Sequence, residues 1–255
     1  MSESIPVLKE PERRRRSSRK LLYVLFLLFI VILSVLFFNS SISKITSITV
    51  EGNNYAETEE VKQASGITLG DAFFGTSRGT IASRVGKLKP VEQVTVHKTF
   101  PGVVRIVVKE YSVVAFEIAK DSKLSAMLAS GSSIPATGTN TLIDKPILSG
   151  WKPDDPIKSE LSKQLGRLSA KDLSDLSEIH PYPSKAYPDR IKLYTRTGFE
   201  VVTAVSVIAE KIHALNAVIE TQEPGRITML LADTYVPFQP DPAENLQSLE
   251  KETTQ

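Results

Sequence analysis

The chain contains no cysteine, only three histidines and a single tryptophan in 255 residues. Without thiols there is no disulfide framework, no thiolate metal site and no cysteine nucleophile. His97, His180 and His213 are far apart in sequence, with no His-x-x-x-His spacing, which argues against a zinc or di-iron centre. A glycine-rich phosphate loop ahead of a helix and a close acid pair in an apolar setting are also missing. Among the Ser-x-x-Lys matches, those at Ser17–Lys20 and Ser41–Lys44 abut a long apolar run instead of sitting on a helix beside an oxyanion pocket. Asp154-Asp155 lies between prolines and reads as a helix initiator, and Glu57, Glu59 and Glu60 as a solvated helix start. The expectation is a non-enzyme with no cofactor.

The one long apolar run is Leu21 to Phe38, whose only side-chain polar atoms are the hydroxyls of Tyr23 and Ser34. As a helix it spans about 27 Å, close to the ~30 Å of a bilayer's hydrocarbon core. Arg13, Arg14, Arg15, Arg16, Arg19 and Lys20 precede it, whereas the nearest basic residues beyond are Lys44 and Lys62. That asymmetry places residues 1–20 in the cytoplasm as a disordered basic tail and the remainder outside. Small residues at Ser41-Ile42-Ser43 leave a cleavable signal peptide as the competing reading, although the run exceeds the roughly 7 to 15 residues of such a core. The basic cluster fits topology and anionic lipid better than nucleic acid. Beyond residue 20 the chain carries 24 basic against 26 acidic side chains, so the +2 total implies no basic outer surface.

Residues 45–111 read as β-α-α-β-β. Ile48 and Val50 precede the turn Gly52-Asn53-Asn54, and Thr58 is positioned to cap a helix bearing Val61 and Ala64 and stopped by Gly66. Ile81, Val85 and Leu88 mark a second helix from about Ser77, and Phe73-Phe74 fall in the loop before it. Val94 and Val96, then Val104, Ile106 and Val108 across Phe100-Pro101-Gly102, alternate as a hairpin.

Residues 112–238 read as a second, β-rich domain with packed helices. Strands are expected over Val113–Ala119, Leu124–Leu128, Arg190–Thr195, Phe199–Thr203 and, last, Arg226–Ala232. Ile157, Leu161, Leu165 and Leu168 predict one helix, and Ile208, Ile212, Leu215 and Val218 another. Trp151 is a core candidate at a strand-to-helix junction, and Tyr182 and Tyr187 fall in a proline-rich loop. Residues 239–255 have no aromatic and little apolar mass, which predicts a disordered tail.

The string ITVEGN, a short helix, then KTFPGVVRIVVKEYSVVAF resembles the POTRA domain of the FtsQ/DivIB family of bacterial cell-division proteins, and DKPILSGW resembles that family's strand-to-helix turn. Ser112-Val113-Val114-Ala115 departs from the family, which commonly has a proline before a Val-Ala pair. The cysteine-free composition suggests the DivIB side of the family. The resemblance implies an α+β architecture: basic tail at 1–20, transmembrane helix at 21–38, POTRA domain at 45–111, β domain at 112–238 and tail at 239–255. It further implies a single-pass type II scaffold at the division septum. Its expected partners are FtsL- and DivIC-like proteins, with a septal peptidoglycan synthase as a further candidate. Partner binding is expected on the last strand and its exit, through Ile227, Met229, Leu231, Tyr235, Val236 and Phe238. The rival readings are an anchored cell-wall hydrolase, for which no nucleophile, metal site or acid pair is found, and a sensor.

Overall fold

The computed structural model describes residues 18–118, 124–136 and 143–238. Arg13 to Arg16, the turn at Asp121-Ser122 and the 239–255 tail lie outside them. Helix α1 covers Ser18–Asn39, and its apolar side chains are exposed along nearly its whole length. At about 1.5 Å per residue its 22 residues run roughly 33 Å, long and apolar enough to cross a membrane. Arg19 and Lys20 are exposed at its start.

The next elements are β1 (Ser47–Glu51), α2 (Thr58–Ser65), α3 (Arg78–Val85), β2 (Val91–Thr99) and β3 (Val103–Glu110). The sheet order is β1-β3-β2, with β1 parallel and β2 antiparallel to β3. Val61 from α2 and Ile81 and Val85 from α3 pack against Val96, Val104, Ile106 and Val108 in one buried cluster. Each such burial removes apolar area worth about 1.5–3 kcal/mol from water. Gly66 ends α2 with φ +65°, where a left-handed residue is needed. Thr58 does not cap α2. Glu57 holds the cap position without a side-chain bond, and the Thr58 hydroxyl accepts from Asn53 Nδ2 at 3.2 Å. Leu88 lies beyond α3, which closes at Gly86, but is still packed on the core.

The second region holds β4 (Val113–Ile118), β5 (Leu124–Leu128), β6 (Ser133–Pro135), β7 (Ile147–Leu148), α4 (Pro156–Leu165), α5 (Ala170–Asp175), β8 (Leu176–Pro181), β9 (Arg190–Thr195), β10 (Glu200–Ala204), α6 (Ile208–Thr221), β11 (Gly225–Met229) and β12 (Asp233–Pro237). They form one mixed sheet, ordered β12-β11-β10-β9-β8-β7-β4-β5-β6. Leu161 and Leu165 of α4 and Ile208, Ile212 and Leu215 of α6 share a core cluster with Leu148, Ile179, Leu193 and Ile227. Phe116, Ala126, Leu128 and Ile134 form a separate, smaller cluster. Asp155 caps α4 by accepting from Ile157 N–H at 3.0 Å, and Pro156 occupies the first turn, where its missing N–H costs nothing.

Two further expectations are corrected. The apolar stretch 226–232 is not one terminal strand: β11 stops at Met229, residues 230–232 turn, and β12 returns antiparallel. β11 therefore lies between β10 and β12 and not at the edge. The Pro-rich segment from His180 to Pro188 is only partly a loop, since His180 and Pro181 close β8.

Candidate functional site

The nine-stranded sheet ends in two unlike edges. β6 is three residues long and carries Pro135, which blunts it. β12 is five residues long and, among the described residues, pairs only with β11. Its register is Gly225↔Pro237, Arg226↔Val236, Ile227↔Tyr235, Thr228↔Thr234 and Met229↔Asp233. Phe238 N–H donates to Pro224 O at 3.3 Å, so the alternation of antiparallel bonding turns Val236 and Thr234 inward to β11. The N–H and C=O of Tyr235 then point away from the sheet. The missing N–H of Pro237 falls on that outward side, where it breaks no bond to β11.

The same strand presents two side-chain faces. Tyr235 is half-buried against the core, and its Oη donates to Glu223 O at 2.8 Å. Gly225 makes room for it, because a Cβ there would lie 2.6 Å from the Tyr235 ring and 2.5 Å from Val236 O. Lys211 of α6 clamps the start of β12, with Nζ 2.9 Å from Asp233 Oδ1. On the opposite face, paired with Arg226, Val236 is 61% exposed, and Phe238 beyond the strand is 46% exposed. Leu231, at the hairpin tip, is 92% exposed. Of the six candidate contacts, Ile227 and Met229 are buried and support the strand from below, which leaves Tyr235, Val236 and Phe238 along the edge and Leu231 at its corner.

Beside Val236 runs a row of charges that crosses three strands. Glu200 Oε1 lies 3.1 Å from Arg226 Nε and 2.9 Å from Lys192 Nζ. The bond with Lys192 holds the Glu200 carboxyl below its usual range, against the opposing effect of burial and with help from Arg226. The same bond raises Lys192. Tyr182 extends the row, with the Arg190 guanidinium 4.4 Å and Lys192 Nζ 5.1 Å from its ring centroid. Sequence reasoning missed this row, although Arg190, Lys192, Glu200 and Arg226 occupy alternate positions of their strands. The partners are up to 26 residues apart in sequence and meet only through the sheet register.

The remaining candidates are structural or solvated. Trp151 Nε1 donates to Ile179 O at 3.1 Å with the ring packed on the core. His97 and His213 are exposed, and His180 lies 3.2 Å from Glu178. Glu210 and His213 stand three apart on α6, a spacing that metal-binding helices use. Among the described residues, however, no three histidine or carboxylate groups gather as a metal site.

Residues 43–111 match the POTRA domain, FtsQ-type. The chain is 47% identical over 251 residues to the cell division protein DivIB of Paenibacillus polymyxa (strain E681), which covers 98% of both chains. This chain belongs to the DivIB family. The DivIB protein of Geobacillus kaustophilus (strain HTA426) is 30% identical over 96% of this chain and 94% of its own length. The solved major extracytoplasmic domain of DivIB from Geobacillus stearothermophilus is 32% identical, covering 43% of this chain and 92% of that one with a TM-score of 0.38. A DivIB cell-division protein with one N-terminal apolar helix, an FtsQ-type POTRA domain and a mixed α+β second region agrees with the order read from ITVEGN onward.

Proposed function

We propose that this DivIB-family chain is a non-enzymatic, single-span scaffold of the division machinery that takes up a partner strand on β12. The observation that carries the reading is the contrast between the two edges of the large sheet. β6 is short and blunted by Pro135, whereas β12 offers outward N–H and C=O groups flanked by exposed Val236 and Phe238. Backbone bonding along the edge gives affinity, and apolar side chains at alternate positions of the partner strand give selectivity against Val236 and Phe238. Truncation before β12 is a poor test, because Tyr235 belongs to the core, so the binding function is separated from folding at the exposed positions.

Helix α1 anchors the chain with residues 1–20 in the cytoplasm, supported by Arg19 and Lys20 at its start and by the Arg13–Arg16 cluster upstream. Residues 45–111 act as a spacing or docking domain and residues 112–238 as the partner-binding domain. Confinement to the membrane raises the effective concentration for other single-span proteins. FtsL- and DivIC-like proteins at the septum are the partners this arrangement suits, and through them it bears on septal peptidoglycan synthesis.

The test is membrane co-capture from cells that carry a fluorescent fusion of either the intact chain or Val236→Asp/Phe238→Ser. The expected result is a midcell signal and capture of small single-span division proteins by the intact chain, with capture lost in the variant while Trp151 fluorescence stays native. Undiminished capture by the folded variant refutes β12 as the site. Uniform membrane distribution without division partners refutes the scaffold role.

A further inference from the structure

Five phenylalanines gather where α1 meets the POTRA domain. Phe37 and Phe38 close α1, Phe73 and Phe74 lie between α2 and α3, and Phe100 lies in the β2–β3 turn. Ring centroids of Phe74 are 6.4 Å from Phe37, 6.5 Å from Phe38 and 6.2 Å from Phe100, and Phe37 lies 6.4 Å from Phe100. Phe73 is buried beneath them, but Phe74 remains 58% and Phe100 50% exposed despite the stacking. With rings of roughly 200 Å² each, that leaves a contiguous apolar surface that continues the apolar surface of α1.

The joint is not a free swivel. Ile45 N–H donates to Asp71 O, Gly70 N–H to Ile45 O and Phe73 N–H to Ser43 O, each at 2.8 Å. Thr46 N–H donates to Gly102 O at 2.8 Å, and Gly102 has φ +70° with no room for a Cβ, which would lie 2.5 Å from Lys44 O. The exit segment is therefore stitched to both loops that carry the exposed rings. Several polar groups here are satisfied from within. The Ser43 hydroxyl donates to Phe38 O at 2.8 Å, and Lys98 Nζ donates to Phe73 O and to Thr76 O. Internal satisfaction of the backbone is what a lipid-facing position demands.

We propose that Phe74 and Phe100, continuous with Phe37 and Phe38, sit at the acyl-chain boundary of the outer leaflet and hold the POTRA domain against the bilayer surface. The inference rests on α1 crossing the bilayer. Phenylalanine belongs among the residues that embed an apolar face at this depth. The foot fixes the direction in which the rest of the chain projects, so the helix does not act as a loose tether.

The test uses the full chain in phosphatidylethanolamine/phosphatidylglycerol vesicles. Because the protein has no cysteine, Ile30→Cys, Thr99→Cys and Gln93→Cys each accept a single spin label. Gln93 lies about 20 Å up the strand from Thr99. The expected result is preferential relaxation by oxygen at 30 and 99 and by a water-soluble nickel chelate at 93. Adding Phe74→Gln and Phe100→Gln shifts position 99 to the nickel-accessible pattern. An aqueous signal at 99 in the unsubstituted background, with 30 still in lipid, overturns the foot and leaves the anchor. An aqueous signal at 30 as well removes the anchor and the foot together. Spin–spin broadening at 99 that grows with the protein-to-lipid ratio assigns the rings to a second copy and also overturns the proposal.

Discussion

Lys158 of α4 is nearly buried, its side chain 5% exposed, and both hydrogen bonds its Nζ makes among the described residues end on the Glu117 carboxylate of β4, each at 2.9 Å. Glu117→Ala leaves an ammonium in the protein interior without a counter-charge, which typically costs 3–5 kcal/mol, on the order of half the stability of a domain. Trp151 makes this measurable, because the only tryptophan reports on the second region alone. With a urea m-value of about 2 kcal/mol/M, the Trp151 transition moves down by roughly 2 M. Replacing both members, Lys158→Met with Glu117→Leu, removes the desolvation cost together with the attraction and returns the midpoint to within about 0.5 M of the parent. A Glu117→Ala shift below about 0.5 M, or a double variant as unstable as the single, contradicts a buried, mutually compensated pair.

The depressed Glu200 carboxyl contributes stability that is complete above the usual glutamate value of about 4.3 and is lost as pH falls through its lower folded value. The Trp151 urea midpoint therefore drops on acidification more steeply in the parent than in Glu200→Gln, and parallel slopes contradict the pairing. Asp172 accepts from Ser169 N–H at 3.1 Å and from Asn216 Nδ2 at 2.6 Å, joining the α5 cap to α6. Asp172→Ala costs about 1–3 kcal/mol, read by the same transition, and an unchanged midpoint refutes the joint role. Gly225→Val drives a side chain into Tyr235 and Val236, so hydrogen exchange accelerates at β12 amides while β9 and β10 stay protected. Equal protection of β12 in both proteins contradicts the close approach.

Sequence pattern was most informative where one face is wet and the other dry. Val104, Ile106 and Val108 alternate cleanly because β3 packs α2 and α3 on one side only, and Ile208, Ile212 and Leu215 stand out because α6 has an exposed back. β8 was not legible: its pairing slips between Leu176 and Glu178, so the two buried residues, Leu176 and Ile179, are three apart and break the period of two. α5 has six residues, too few for a helical period to emerge. β12 escaped because an edge strand has little apolar pattern to show. Only Tyr235 is half-buried, and Asp233 and Thr234 read as turn residues. The family resemblance pointed to this end of the chain, but which side of each residue faces solvent depended on the Gly225–Pro237 register.

The most direct measurement is photocrosslinking from position 236, with a photoreactive residue in place of Val236 in dividing cells and position 105 on β3 as control. The expected result is a single discrete adduct with a small single-span division protein from 236, formed at midcell and not from 105. No adduct from 236, or the same adducts from both positions, contradicts a partner strand on β12.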